Sequence, residues 1–259
     1  MARIFITGSA DGLGQLAASA LVAQGHEVVL HARNPERARH ARQQAPGAVH
    51  ALVGDLSDVE EIKRLAEEAN ASGPFDAVIH NAGVYRAPAR EVFIVNTLAP
   101  YILTCLMQKP KRLIYLSSGM HLQGRADLER LARDQSRVSY SDSKLYVTML
   151  CMAVARRWPG VYANAVDPGW VPTKMGGPNA PDDLHKGYET QVWLAVSDDS
   201  AARVSGRYFH HRQARPYNPQ AGDVALQERL LNICGGITGV PFPEPVSSDE
   251  GQRLLGENP

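Results

Sequence analysis

Short apolar runs alternate with stretches of helical period along almost the whole chain. Ile4-Phe5-Ile6-Thr7 has no polar alternation, as expected for a parallel strand covered on both faces, and after a glycine-rich turn Leu16, Ala17, Ala20 and Leu21 recur at helical spacing until Gly25. The same unit repeats. Glu27 to His31 predicts a second strand and Pro35 to Gln44 a helix, which breaks at Pro46-Gly47 before a third strand, Val49 to Val53. Ser57-Asp58-Val59-Glu60 has capping-box spacing and predicts a helix to about Asn70, ended by Gly73-Pro74 and followed by a strand from Asp76 to His80. Glu91 to Gln108 reads as a helix that tolerates Pro100 only near a kink or an early turn, and Arg112 to Leu116 reads as the fifth strand. A polar stretch, Met120 to Ser139, with a short helix at Leu128 to Asp134, leads into a helix from Tyr140 to Pro159-Gly160. Val161 to Val166 is a sixth strand; the Gly/Pro-rich residues Lys174 to Asp183 read as a mobile segment and candidate lid; Leu184 to Val196 is helical. Gly206 to His210 closes the strands, Asp223 to Cys234 is a helix stopped by Gly235-Gly236, and 235–259 is expected to be a loosely held tail. The pattern predicts an α/β fold: a single domain over 1–259, with a doubly wound, mostly parallel sheet of about seven strands covered on both faces by helices.

Composition narrows the partners. Lys and Arg number 27 and Asp and Glu 27, so the formal net charge is zero, and no basic block provides the electrostatic footprint of a nucleic-acid binder. A small-molecule partner is expected instead. Cys105, Cys151 and Cys234 lie in apolar runs without metal-ligand spacing, which reads as buried thiols in a reducing compartment, and the nine histidines show no metal pattern either. No apolar stretch in the sequence reads as long enough to span a bilayer, so the expectation is a soluble, cytoplasmic protein with no membrane, nucleic-acid or metal partner.

Candidate chemistry gathers at the carboxyl ends of the predicted strands. Gly8-Ser9-Ala10-Asp11-Gly12-Leu13-Gly14 lies between a strand and a helix, where glycines admit close backbone approach and free helix N–H groups suit a pyrophosphate. This is the context of a Rossmann-type dinucleotide site. The second strand ends without an acid for a ribose 2′-hydroxyl, and Arg33 follows, which favours a 2′-phosphate and hence NADP(H), with NAD(H) the lesser alternative. Asp11 argues mildly against it. Asp55 and Asn81 either cap strand ends or face a ligand, and Asn96, polar among apolar neighbours, is either a structural link or part of a polar site. Tyr140 and Lys144 are four apart on one helix face, placing a phenol beside a cation that would favour its ionised form and permit proton exchange near neutral pH.

Taken in order, Thr7 to Gly14, Asp55-Leu56, Asn81-Ala82-Gly83, Val95-Asn96, Ser117-Ser118, Tyr140 to Lys144 and Asp167-Pro168-Gly169 with Thr173 resemble the short-chain dehydrogenase/reductase family over roughly the whole chain to Cys234. The long segment before Tyr140 and the Asp-Pro-Gly-Trp-Val-x-Thr run are most similar to the retinol-dehydrogenase-like branch, which includes bacterial ketoreductases. The resemblance implies a Rossmann fold and an NADP-dependent oxidoreductase that moves hydride between nicotinamide and a carbonyl or alcohol substrate. It implies a catalytic set of Ser118, Tyr140, Lys144 and Asn96, the last holding a proton-relay water. It also implies cofactor binding by Gly8, Ser9, Asp11, Gly12, Leu13, Gly14, Arg33, Asp55, Leu56, Asn81, Ala82, Gly83, Tyr140, Lys144, Pro168, Gly169, Val171 and Thr173. His80 departs from the usual asparagine, and the stretch from Asn81 to Ser118 is shorter than usual, which leaves monomer and homodimer both open.

Two other readings compete. One is a non-catalytic NADP(H)-binding redox sensor, which the presence of both Tyr140 and Lys144 disfavours; the other is a sugar-nucleotide epimerase or dehydratase, for which the chain is too short. Met120, His121, Leu122, Trp170, Met175, Tyr188 and Trp193 either line an apolar pocket, suiting a lipophilic or aromatic carbonyl compound, or belong to the core, with His121 a further candidate for a polar substrate group.

Overall fold

Residues such as Ile4, Phe5 and Ile6 are apolar on both sides of their strand because both sides are covered, and the computed structural model, which describes residues 1–244, shows by what. Eight strands form one sheet: β1 (Arg3–Ile6), β2 (Glu27–Ala32), β3 (His50–Val53), β4 (Ala77–His80), β5 (Arg112–Leu116), β6 (Tyr162–Asp167), β7 (Arg207–His210) and β8 (Gln213–Arg215). Their spatial order is β3-β2-β1-β4-β5-β6-β7-β8, parallel throughout except for the β7–β8 hairpin. The expected seven strands are thus joined by an eighth. Gln213–Arg215 is too short and too polar to read as a strand, being fully exposed on the sheet edge.

Helices α1 (Gly12–Ala23), α2 (Pro35–Gln44) and α8 (Leu184–Val196) cover one face, where Ile4, Ile6, Val28, Leu30 and Ile79 point. The other face, with Phe5, Val29, Val78 and Tyr115, packs under α3 (Val59–Ala71), α5 (Ala99–Leu106), α7 (Tyr140–Arg157) and α9 (Val224–Thr238). Between α3 and α5 lie α4 (Ala89–Phe93) and a π-turn, Ile94–Leu98, and a short α6 (Leu128–Arg133) precedes α7. The chain reverses its direction of winding between β1 and β4, so the crevice at their carboxyl ends is where a doubly wound sheet places its ligands.

Several boundaries differ from the sequence expectation, each for a local reason. Asp58, not Ser57, caps α3 by accepting from Glu60 N and Glu61 N, because Asp55 holds the Ser57 hydroxyl at 2.7 Å. α4, the π-turn and α5 form one helical stretch, Ala89–Leu106, with Pro100 in the first turn of α5, where the wider π-turn before it accommodates the ring. By length and hydropathy this stretch could cross a membrane, contrary to the reading of the sequence, but it is 67% buried against the sheet and α7. α9 runs through Gly235-Gly236 to Thr238 and ends at Gly239 in the left-handed region (φ 70). The absent Cβ at Gly235 lets the Tyr101 hydroxyl pass close by. That hydroxyl donates to Val240 O at 2.8 Å, and Phe242 stacks at 5.3 Å on Trp158, so 235–244 is anchored rather than loose. The remainder of the predicted tail, 245–259, lies outside the described residues.

Candidate active site

The glycine turn is built by exclusion. Gly8 (φ 64) lies so close to the β4 end that a Cβ would stand 2.9 Å from Ala82 Cα, and one on Gly14 would fall 2.3 Å from Asn81 Nδ2. Asn81 ties the two ends together by donating to Thr7 O (3.0 Å) and Gly8 O (3.2 Å). Gly14 therefore closes the turn rather than lining the cavity in front of it. Ser9 is likewise internal, its buried hydroxyl donating to Ile6 O and accepting from His31 N.

His31 is a member the sequence reading overlooked. Its Nδ1 accepts from Gly8 N at 2.9 Å, so the proton sits on Nε2, which donates to Gly54 O at 2.9 Å. Burial pushes this imidazole down to about 4, with the Gly54 bond and the Asp55 carboxylate working against it. A polar residue inside an otherwise apolar strand was the available signal.

In front of the turn lies a cavity of about 450 Å³, lined by Gly8, Asp11, Gly12, Leu13, Arg33, Asp55, Leu56, Asn81, Ala82, Gly83, Tyr140, Lys144, Pro168 and Thr173. Fourteen residues expected from the sequence thus meet in one place. Two cations join Arg33 there: Arg37, one turn further along on α2, and Lys174, which directly follows Thr173. Both pair with Asp11, Arg37 at 3.4 Å and Lys174 more closely. Burial works to raise the Asp11 carboxyl, but Lys174 and Gly12 N outweigh it and hold it low, so this acid is already neutralised by its neighbours.

A second cavity of about 650 Å³ shares Leu13, Ser117, Tyr140, Pro168, Thr173 and Met175 with the first. Ser118, Gly169 and Val171 line this one, and so do Tyr85, Met120 and Trp170. Of the other apolar candidates, Trp193 is core, edge-on to Phe209, while Leu122 and Tyr188 lie outside both cavities. His121 turns away altogether. It is fully buried, accepting from Asn218 N (3.2 Å), donating to Ser118 O (2.7 Å) and stacking on Tyr208 (4.4 Å).

Tyr140 stands at the junction as the first residue of α7, fixed by a reciprocal cap: Ser139 Oγ accepts from Asp142 N, and Asp142 Oδ2 accepts from Ser139 N. Burial pushes its phenol up to about 12; the Ser118 hydroxyl works against this, while Asp167 and Tyr85 add to it. The expectation of proton exchange near neutral pH is therefore not met in this geometry. Lys144 Nζ lies 5.6 Å from the Tyr140 ring centre and donates to Leu116 O at 2.8 Å, and burial lowers it to about 8. What results is a protonated phenol, a proton donor, beside a buried amine.

The two serines separate cleanly. Ser117 is committed to Lys144 O and Thr148 Oγ1, whereas Ser118 keeps its hydroxyl at the second cavity, accepting only from Met120 N among the described residues. Asn96, in the π-turn, lies behind both cavities. It accepts from Val84 N (2.8 Å) and spends both amide hydrogens on Val84 O (2.9 Å) and Ser143 Oγ (3.0 Å), which leaves only the second lone pair of Oδ1. A Cβ on Gly83 would stand 3.3 Å from that Oδ1 and 3.3 Å from Lys144 Nζ, so the glycine keeps a gap open between them.

Comparisons with known proteins bear on the family and the fold. The model of a family described as short chain dehydrogenase matches residues 2–111. An uncharacterized oxidoreductase of Emericella nidulans is 48% identical over 256 residues, covering 94% of this chain and 99% of its own. A short-chain dehydrogenase of Penicillium rubens, chyC, is 43% identical over 94% of this chain and all of its own, and mouse retinol dehydrogenase 14 is 29% identical over 92% and 86%. Among solved structures, an uncharacterized protein of Mycobacterium paratuberculosis superposes with a TM-score of 0.80 at 24% identity, over 94% of this chain and 95% of that one. A Shigella flexneri protein described as a short chain dehydrogenase, in complex with NADP, superposes with a TM-score of 0.65 at 23% identity, over 82% and 97%.

Proposed function

The chain belongs to the short-chain dehydrogenase/reductase family of oxidoreductases, and from that premise we propose that it is an NADP(H)-dependent enzyme acting on a carbonyl or alcohol compound. The observation that carries this reading is the position of Tyr140 on the wall common to two cavities, with Lys144 behind it and Ser118 facing it.

The first cavity fits a dinucleotide by its own construction. Gly8 and Gly12 hold left-handed backbone (φ 64 and 55) that other residues rarely adopt, α1 presents its N-terminus, and Arg33, Arg37 and Lys174 gather positive charge at the end away from Tyr140. Because β2 ends in Ala32 rather than an acid, and Asp11 is paired with Arg37 and Lys174, this end favours a 2′-phosphate over a bare ribose. Asp55 and Leu56 would border the adenine, and Pro168, Gly169, Val171 and Thr173 the nicotinamide.

Bound NADP(H) supplies or accepts the hydride. In the direction of reduction, Ser118 and Tyr140 hydrogen-bond the substrate oxygen, and Tyr140 donates its proton as charge develops there. Burial keeps the phenol protonated for that step. Lys144 stabilises the phenolate that remains, and the free lone pair of Asn96 Oδ1 accepts from a water in the gap beside Gly83, through which the proton is replaced.

The test follows NADPH consumption with a panel of aldehydes and ketones. Steady turnover is expected, and Tyr140→Phe should lower it by about a hundredfold or more while NADPH still binds. Turnover that survives in Tyr140→Phe overturns the reading. Tight NADPH binding without turnover of any member would favour a non-catalytic sensor.

A further inference from the structure

Beyond the reacting groups, His210 brings to the second cavity a half-buried ring nitrogen without a hydrogen-bond partner among the described residues. His210 ends β7 directly beside Asp167 of β6, and its Nδ1 lies 3.2 Å from Asp167 O and 3.5 Å from Asp167 Oδ2. Both neighbours are acceptors, so Nδ1 must carry the hydrogen, and in the neutral ring Nε2 is left with a lone pair. Among the described residues Nε2 has no hydrogen-bond partner, and the ring lines the cavity.

The other polar groups there are committed or peripheral. Asp167 accepts from Gly169 N, Asp182 accepts from Trp170 N, Ser118 and Tyr140 face the reacting oxygen, and Arg86 and Gln123 are exposed. Ser117 is committed as described, Thr173 accepts from Gly176 N, the exposed Tyr85 brings its hydroxyl to the rim, and the rest of the wall is apolar or aromatic, with Met120, Trp170 and Met175.

The backbone holds His210 at a cost. The β7–β8 hairpin turns on His211 and Arg212, both left-handed at φ 48 and 60, in a two-residue loop that favours Asn and Gly. His211 stacks on His210 at 3.7 Å, and Arg212 N donates to Thr190 Oγ1 at 2.9 Å, so the turn is clamped from both sides. Strained backbone of this kind collects at ligand sites.

We infer that His210, oriented by Asp167, is the specificity residue of this site. It accepts a hydrogen bond from a hydroxyl or N–H group carried by the substrate at a distance from its carbonyl. The substrate class is then a carbonyl compound with an apolar or aromatic body and a hydrogen-bond donor. This rests on the proposed function for the carbonyl end alone.

The probes are acetophenone, the three hydroxyacetophenones and their methyl ethers, which keep the ring and remove the donor. With the full-length protein and NADPH, at least one hydroxy isomer should exceed its methyl ether in kcat/KM by about tenfold, and His210→Leu should bring that ratio to about one. His210→Gln, whose amide oxygen still accepts, should keep part of it. Melting temperature and NADPH affinity of each variant report whether the fold is intact.

Binding of the same pairs, read by tryptophan fluorescence with NADP+ present, Trp170 being the tryptophan on the cavity wall, provides an arm independent of turnover. If nothing in the panel reacts, the proposed function fails, and a His210-dependent binding preference still supports this inference. Equal or undetectable binding of every pair, or a ratio unchanged in His210→Leu, overturns it. A preference for 4-acetylbenzoate over every hydroxy isomer also overturns it, because the ring would then be acting as a cation.

Discussion

At the scale of single residues, the site depends on which atoms are already spent. Arg33 is exposed and has no hydrogen-bond or ion-pair partner among the described residues, whereas Arg37 and Lys174 are engaged with Asp11. Arg33→Ala should therefore weaken NADPH binding by about tenfold or more, on the scale of a lost charge-assisted bond, and leave NADH nearly unaffected; titration with both cofactors checks this. Equal affinity of the unmodified protein for the two would overturn the preference. Gly83 gives a second prediction. Its Cβ would enter the gap between Asn96 Oδ1 and Lys144 Nζ, so Gly83→Ala should lower kcat by about tenfold beyond any loss of NADPH affinity, the proton path being blocked. Unchanged kcat would remove Asn96 from the relay. Tyr140, Lys144, Ser118, Gly8 and Gly12, all at the proposed site, were legible in the sequence through their order and spacing. The sequence did not reveal His31, Arg37, Lys174 or His210, whose neighbours come from other strands and loops. His121 was misplaced for the opposite reason: it is adjacent to the site in sequence, but Asn218, nearly a hundred residues later, draws it inward.

At the scale of elements, α7 is the part on which the proposed reaction centre is mounted. Its first residue is Tyr140, so the cap that starts the helix also sets the position of the phenol. Ser139→Ala removes one side of the reciprocal cap and should cost about 1 kcal/mol, a fall in melting temperature of roughly 2–4 °C for a chain of this size. Turnover should fall as well, because fraying begins at the reacting residue; Ser139→Thr should restore both, and thermal denaturation with steady-state rates checks this. Element type and order were legible, since strands and helices differ in apolar period. Boundaries were less so. The Asp58 cap depends on a competing side-chain bond two residues away, Ser57 to Asp55, and the passage of α9 through Gly235-Gly236 on a distant residue, Tyr101, which donates to Val240 O; apolar period reports neither.

At the scale of the whole molecule, the sheet carries two buried histidines whose protonation the fold resists. Burial lowers His31 to about 4 and His80 to about 3. An unfolded chain takes up these protons near the ordinary value of about 6.5 and the native one does not, so stability is full above about pH 6.5 and falls as pH drops toward 4. Each contributes a slope on the order of 1.4 kcal/mol per pH unit in that window. His80 stacks on Tyr115 at 4.8 Å and leaves Nδ1 without a partner, so His80→Asn should make the acid decline of the melting temperature shallower. An identical decline would assign it to other groups.

The edge at β8 has a consequence for how copies of the molecule can meet. A strand of three residues, Gln213–Arg215, fully exposed and followed by Pro216, presents few free backbone groups to an incoming strand and places Arg212 and Arg215 in its path. A second copy laid edge to edge in antiparallel fashion would bring like charges together and find a ladder interrupted at the proline. The sheet is thus blunted against growth at this end, which leaves β3 as its other edge.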